Sequence, residues 1–175
     1  QSTFRTVTAV KSQVDAIRSS IQECILRYPN GDQNIPTGTG GTEEGALPEY
    51  PIRPNSPYFD AAPGSVIPAT TDRLVRDIRC PGDQEGPETK DHGRIFSGGT
   101  GKFLPPPPDL FGDWRYYNGP DGVFFWIETD KSDAFLRSSL EKLDETYGEC
   151  EGDIIDATGG TAVALDTATP AQTSC

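Results

Sequence analysis

The first 28 residues of this 175-residue chain carry a helical period that constrains how the rest can fold. Val7, Val10, Val14, Ile17, Ile21, Cys24 and Tyr28 recur at spacings of three and four, and Ala16, Ile25 and Leu26 widen the stripe near its end. Lys11, Asp15, Arg18, Gln22 and Arg27 fall off the stripe toward water. The helix should stop at Tyr28-Pro29-Asn30-Gly31, because Pro29 disfavours helical geometry at the residue before it and has no N–H to donate. About 26 residues rising ~1.5 Å each span roughly 39 Å. A compact domain of this length has a radius of gyration near ~16 Å, so the helix is about as long as the domain itself. It is a spine onto which the remaining elements must pack, and it starts with no turn chemistry before Ser2 and Thr3.

Residues 29–110 form a loop-rich region. The chain holds 19 glycines and 16 prolines, a fifth of its length, and many of them fall here. Apolar Leu47, Tyr50, Ile52, Tyr58, Phe59, Val66 and Ile67 recur up to Pro68, so this stretch is expected to lie ordered on the domain surface. Short elements are expected around residues 74–78. Cys80-Pro81-Gly82 should open a second turn-rich stretch, which ends in the four prolines at 105–108, read as a rigid crossing segment.

Residues 111–175 should hold the sheet, a second helix and a C-terminal disulfide region. Trp114-Arg115-Tyr116-Tyr117 and the apolar run 122–128 flank Asn118-Gly119-Pro120-Asp121, which predicts a β-hairpin. A helix is expected over 132–147, capped by Asp130 or Ser132, with Phe135, Leu136, Leu140, Leu143 and Tyr147 on its apolar face and Gly148 ending it. Residues 152–157 and 161–165 flank Thr158-Gly159-Gly160 as a last hairpin. The reading is therefore a single α+β domain over 1–175, with a long N-terminal helix packed across an antiparallel sheet of about four strands.

Charge and composition exclude several functions. With 27 acidic against 15 basic side chains the formal charge is −12, which repels a nucleic-acid backbone. No apolar run approaches the ~18 residues that span a bilayer. Methionine is absent throughout, so the chain is read as a processed product with a segment missing upstream. Cys24, Cys80, Cys150 and Cys175 form no Cys-x-x-Cys pair, which favours two structural disulfides in an oxidising compartment; four cysteines allow three pairings that spacing does not separate.

Candidate chemistry is sparse. His92, the only histidine, sits between Asp91 and Gly93 and reads as a solvated loop residue. Gly98-Gly99-Thr100-Gly101-Lys102 resembles the end of a phosphate-binding loop, but Phe103 stands where a magnesium-binding Ser or Thr should be. Carboxylates could in principle supply a pair for glycoside hydrolysis, yet none is marked out by its surroundings. Eight carboxylates against Lys142 alone lie between Glu141 and Cys175, whereas Arg5, Lys11, Arg18 and Arg27 dominate the first helix. Glu149, Glu151, Asp153 and Asp156 could cluster around calcium, but no Asp-x-Asp-x-Asp loop is present and a solvated acidic face is the plainer reading. No cofactor, metal or catalytic residue is expected.

Taken together, the uncapped spine over 4–28 closed by Tyr28-Pro29-Asn30-Gly31, the long glycine and proline loop, the sheet around 114–127 and the pair Cys150 and Cys175 resemble the soluble domain of a type IV pilin or pseudopilin. Phe103-Leu104 with the four prolines, followed by Trp114-Arg115-Tyr116, is similar to stretches of pilin-like proteins. The resemblance implies a structural subunit of an extracellular pilus-like or pseudopilus filament, whose partners are other copies of itself and related pilins. It implies contact with the inner membrane, before assembly, through a missing hydrophobic N-terminal segment. It places an assembly surface on the spine at Phe4, Arg5, Val7, Lys11 and Arg18. Cys150 is then expected to pair with Cys175, and Cys24 with Cys80. The rival reading is a secreted glycan- or protein-binding module with Trp114, Tyr116, Tyr117 and Trp126 as its aromatic platform.

Overall fold

A computed structural model describes residues 2–59, 73–84, 92–98, 101–120, 122–131 and 133–147. The chain is α+β. Helix α1 (Ser2–Arg27, 26 residues) is followed by a long loop, a short 3-10 turn (Val75–Asp77), β1 (Arg79–Gln84), β2 (His92–Arg94), β3 (Arg115–Gly119), β4 (Gly122–Trp126) and α2 (Ala134–Asp144). The expected single sheet of about four strands is instead two antiparallel ribbons among the described residues, β1–β2 and β3–β4. A single bridge from Leu74 to Arg115 links the 3-10 region to β3.

The spine forms as its period predicts, with its buried face turned slightly. Thr6, Val10, Gln13, Ile17, Ser20, Ile21 and Cys24 are the buried positions. Their centre lies roughly 40° around the helix from the purely apolar stripe, less than half of the ~100° step between residues. The shift is tolerated because the polar members have partners. Ser20 Oγ donates back to the Ala16 carbonyl at 2.9 Å, and Gln13 bonds to two other segments. Leu26, expected to widen the stripe, is 83% exposed because its phase is opposite the buried face.

Val10, Ile17, Ile21 and Cys24 pack against Val75, Ile78, Cys80, Ile95, Trp114 and Tyr116 in the main core. A disulfide joins Cys24 to Cys80, with 5.5 Å between the Cα atoms, and fastens the last full turn of the spine to β1. The expected Cys150–Cys175 pair, the last hairpin and Gly148 lie outside the described residues.

The turn expected at Cys80-Pro81-Gly82 is a strand. β1 pairs with β2 in an irregular register between Arg79 and Gln84, and such a bulged ribbon accommodates a proline that cannot donate to the ladder. Gly82 adopts φ 89°, and the Tyr28 ring lies so close that a Cβ there would sit 2.6 Å from its Cδ1. The glycine therefore serves close packing inside a strand.

The hairpin forms, with a tighter turn than expected. Asn118 and Gly119, expected in the turn, belong to β3 and pair with Val123 and Gly122. α2 is shorter than expected, and its cap is Asp133, whose carboxylate accepts from the Phe135 and Leu136 N–H groups at 2.7 and 3.4 Å. Leu136 is buried, with Leu140, Leu143 and Tyr147 half-buried along the same phase. Phe135, one ~100° step away, is 63% exposed and not part of the apolar face.

The described part of the long loop is ordered on the body, as its apolar residues imply. Ile35, Ile52, Tyr58 and Phe59 make a second small core. Asn118 clamps the loop to β3: its Oδ1 accepts from the Leu47 N–H, and its Nδ2 donates to the carbonyls of Leu47 and Pro51, all at 3.0 Å. Tyr116 Oη donates to the same Pro51 carbonyl at 2.6 Å, and burial pushes this phenol well above its ordinary pKa.

Candidate functional site

Three places could carry function: the solvent side of the spine, the outer face of the β3–β4 hairpin and the buried surroundings of His92. On the spine, helix geometry sets Phe4, Lys11 and Arg18 one above another at seven-residue intervals, with Val7 beside them. Arg5 lies one residue step around the helix from Phe4, on a separate edge. Phe4 is 73% exposed, Arg5 and Lys11 are exposed, and Val7 and Arg18 are half-buried. Lys11 Nζ reaches Asp15 Oδ2 at 3.4 Å across one turn. The residue that sequence reasoning missed is Leu26, on the same solvent side about 33 Å along the helix from Phe4 at ~1.5 Å per residue. Its phase in the period was the available signal.

The hairpin splits its aromatic residues by the two-residue period of a strand. Tyr116 and its cross-strand partner Phe125 face the main core with Trp114, whose ring meets Phe125 edge-on at 5.7 Å. Tyr117, Phe124 and Trp126 occupy the opposite face. Tyr117 and Phe124 stack at 4.8 Å, and Trp126 tilts against Phe124 at 5.8 Å. The expected platform of Trp114, Tyr116, Tyr117 and Trp126 is therefore not assembled. Trp114, Tyr116 and Tyr117 are buried, and the stacked rings turn their faces to one another. Only Trp126 of the four is half-buried, with Nε1 donating to Glu128 Oε1 at 3.1 Å.

His92 is not a solvated loop residue. It is 1% exposed at the start of β2, its Nε2 is 2.8 Å from Asp32 Oδ2, and its ring lies 6.1 and 5.7 Å from those of Tyr58 and Phe59. The Arg79 guanidinium stands 4.7 Å from the Phe59 ring centre. His92 Nδ1 has no hydrogen-bond partner among the described residues. A carboxylate on Nε2 orients the imidazole and fixes the loop that leaves the spine onto β2. The sequence hid this because Asp32 is 60 residues away.

Glu43 is a second buried polar centre. It accepts from Ser56 Oγ and from Arg53 Nε, the latter at 3.2 Å, and its burial raises the carboxyl above its usual pKa. Among the described residues no group of three or more His, Cys, Asp or Glu could hold a metal ion, and no helix is long and apolar enough to cross a membrane. The acidic positions Glu149, Glu151, Asp153 and Asp156 lie outside the described residues. No protein-family model, curated protein or solved structure matches the chain.

Proposed function

We propose that this chain is the exposed head of a subunit of an extracellular filament of the type IV pilus or pseudopilus kind. The observation that carries the reading is the division of α1 into two sides. One side is buried in the core and fastened by the Cys24–Cys80 bridge, while the other presents Phe4, Arg5, Lys11 and Leu26 to solvent along a helix of 26 residues. A helix held rigidly along its length and left open on the far side is suited to pack against neighbouring copies in a repeating array. The resemblance of the spine, loop and hairpin to pilin heads points the same way.

In this reading the spine continues upstream into an apolar segment of about 20 residues, which the upstream coding sequence would reveal. The full-length subunit, expressed in its host, should enter surface filaments. Phe4→Ala should lower its incorporation without changing the melting of the isolated head. A full-length protein that never enters filaments overturns the proposal.

A further inference from the structure

Two Asn-Gly pairs occur in this chain, Asn30-Gly31 and Asn118-Gly119, and their surroundings differ sharply. Asn-Gly is the dipeptide in which the following backbone nitrogen reaches the side-chain amide with least obstruction, because glycine has no Cβ. Asn118 is buried, and all three of its clamp bonds, to the Leu47 N–H and to the carbonyls of Leu47 and Pro51, must break before its Cγ can swing onto Gly119. Gly119 is itself held in the ladder opposite Gly122. Asn30 is exposed in the turn that ends the spine, where the Gly31 N–H bonds to the Tyr28 carbonyl at 2.9 Å. A single bond in an exposed turn opens far more readily than a buried clamp.

We propose that Asn30 is a site of selective spontaneous deamidation in the folded protein, and that the fold protects Asn118. The Gly31 amide nitrogen loses its proton to solvent and attacks Asn30 Cγ. An N–C bond forms as ammonia leaves, giving a five-membered imide. Water then opens either carbonyl, leaving aspartate or isoaspartate at position 30. The net change is consumption of one water and release of one ammonia, with no oxidation or reduction.

The position gives the reaction a structural consequence. Conversion adds a negative charge two residues from Asp32, which holds His92. The isoaspartyl form also lengthens the backbone beside Gly31, whose φ is 64° and where a Cβ would lie 1.9 Å from the Pro48 carbonyl oxygen. Modification would therefore loosen the junction between spine and loop. This inference is independent of the filament reading.

The test is to age the intact chain in mildly alkaline buffer, with and without denaturant, and to follow both tryptic peptides by mass spectrometry with enzymatic methyl labelling of isoaspartate. In the folded chain Asn30 should convert at least about tenfold faster than Asn118, the factor implied by the loss of even one or two buried hydrogen bonds. Denaturant should bring the two rates together. Equal conversion of both residues in the folded chain would overturn the proposal. So would an Asn30 that stays intact when folded yet converts once unfolded, because the turn would then be protective.

Discussion

The indole Nε1 of Trp114 donates to Oε1 of Gln13 at 2.7 Å, and Nε2 of the same carboxamide donates to the Pro106 carbonyl at 2.9 Å. One buried side chain thus joins the spine to the β3 entry and to the proline run. Gln13→Leu keeps much of the volume but strands the Trp114 N–H and the Pro106 carbonyl. The expected cost is about 1 to 3 kcal/mol in denaturant unfolding. Ser12→Ala, at an exposed neighbouring position, should leave the midpoint nearly unchanged. Equal midpoints for both variants would show that the bridge adds no stability.

The buried side of the spine gives a second comparison. Ile21 packs in the main core, so Ile21→Ala should lose about 2 to 5 kcal/mol through transfer energy and cavity formation. Leu26→Ala should be nearly neutral, although the two residues are equally apolar and five positions apart. Ser20→Ala is an intermediate case: Ser20 is buried beside Ile21, but its bond is local, to Ala16, so a cost under ~1 kcal/mol is expected. Thermal melting of the three variants checks the order.

The fold was legible where pattern is local. The spine, the hairpin and the second helix each carry a period or cap within a few residues, and each appears within a turn or two of its expected position. Polar residues at the core were not legible, because their partners are remote: Gln13 reaches Pro106 and Trp114 across 93 and 101 residues. His92 looked solvated between polar neighbours, yet Asp32 and two aromatic rings enclose it. Cys80-Pro81-Gly82 looked like a turn because composition alone does not show that Tyr28 packs onto Gly82. The exposed side of the spine was half legible: Lys11 falls off the apolar stripe, whereas Leu26 was counted as widening it although its phase sets it opposite the buried face.

Leu110 is the one non-glycine residue with positive φ among those described, at 77°, and it is substantially exposed. An L-residue in this conformation costs about 1 to 2 kcal/mol relative to the ordinary helical basin. Glycine relieves that strain but loses more chain entropy on folding, about 0.5 to 1 kcal/mol. Leu110→Gly should therefore be neutral to stabilising by up to about 1.5 kcal/mol. A clear fall in the unfolding midpoint would show that the side chain contributes packing that outweighs the strain.

The Cys24–Cys80 bridge closes a loop with a sequence separation of 56, and loops of that size gain about 2 to 4 kcal/mol from the cross-link. Peptide mapping without reduction should recover a Cys24–Cys80 peptide, and a Cys24–Cys150 peptide would contradict the arrangement. Replacing both Cys24 and Cys80 with alanine should lower stability by that amount, and reducing agent should have no further effect through this pair.

Stability should also depend on pH through Glu43, with a sign opposite to that of an exposed paired carboxylate. Desolvation raises the Glu43 pKa above 4.5, even though Ser56 and the Arg53 and Arg73 charges pull it down. In the window between the unfolded and folded values the native state binds more protons than the unfolded one. This group's contribution is then most favourable below about pH 4.5 and is lost as pH rises through the folded pKa. Glu23 behaves in the reverse sense, because Lys102 lowers its pKa and its contribution fades as pH falls. Glu43→Gln removes the titration while keeping an acceptor oxygen for Ser56. The unfolding free energy of the variant should therefore gain on that of the parent as pH is raised from mildly acidic to neutral. A difference that stays constant across that range would mean that Glu43 carries no net proton linkage, its two arginines cancelling the cost of burial.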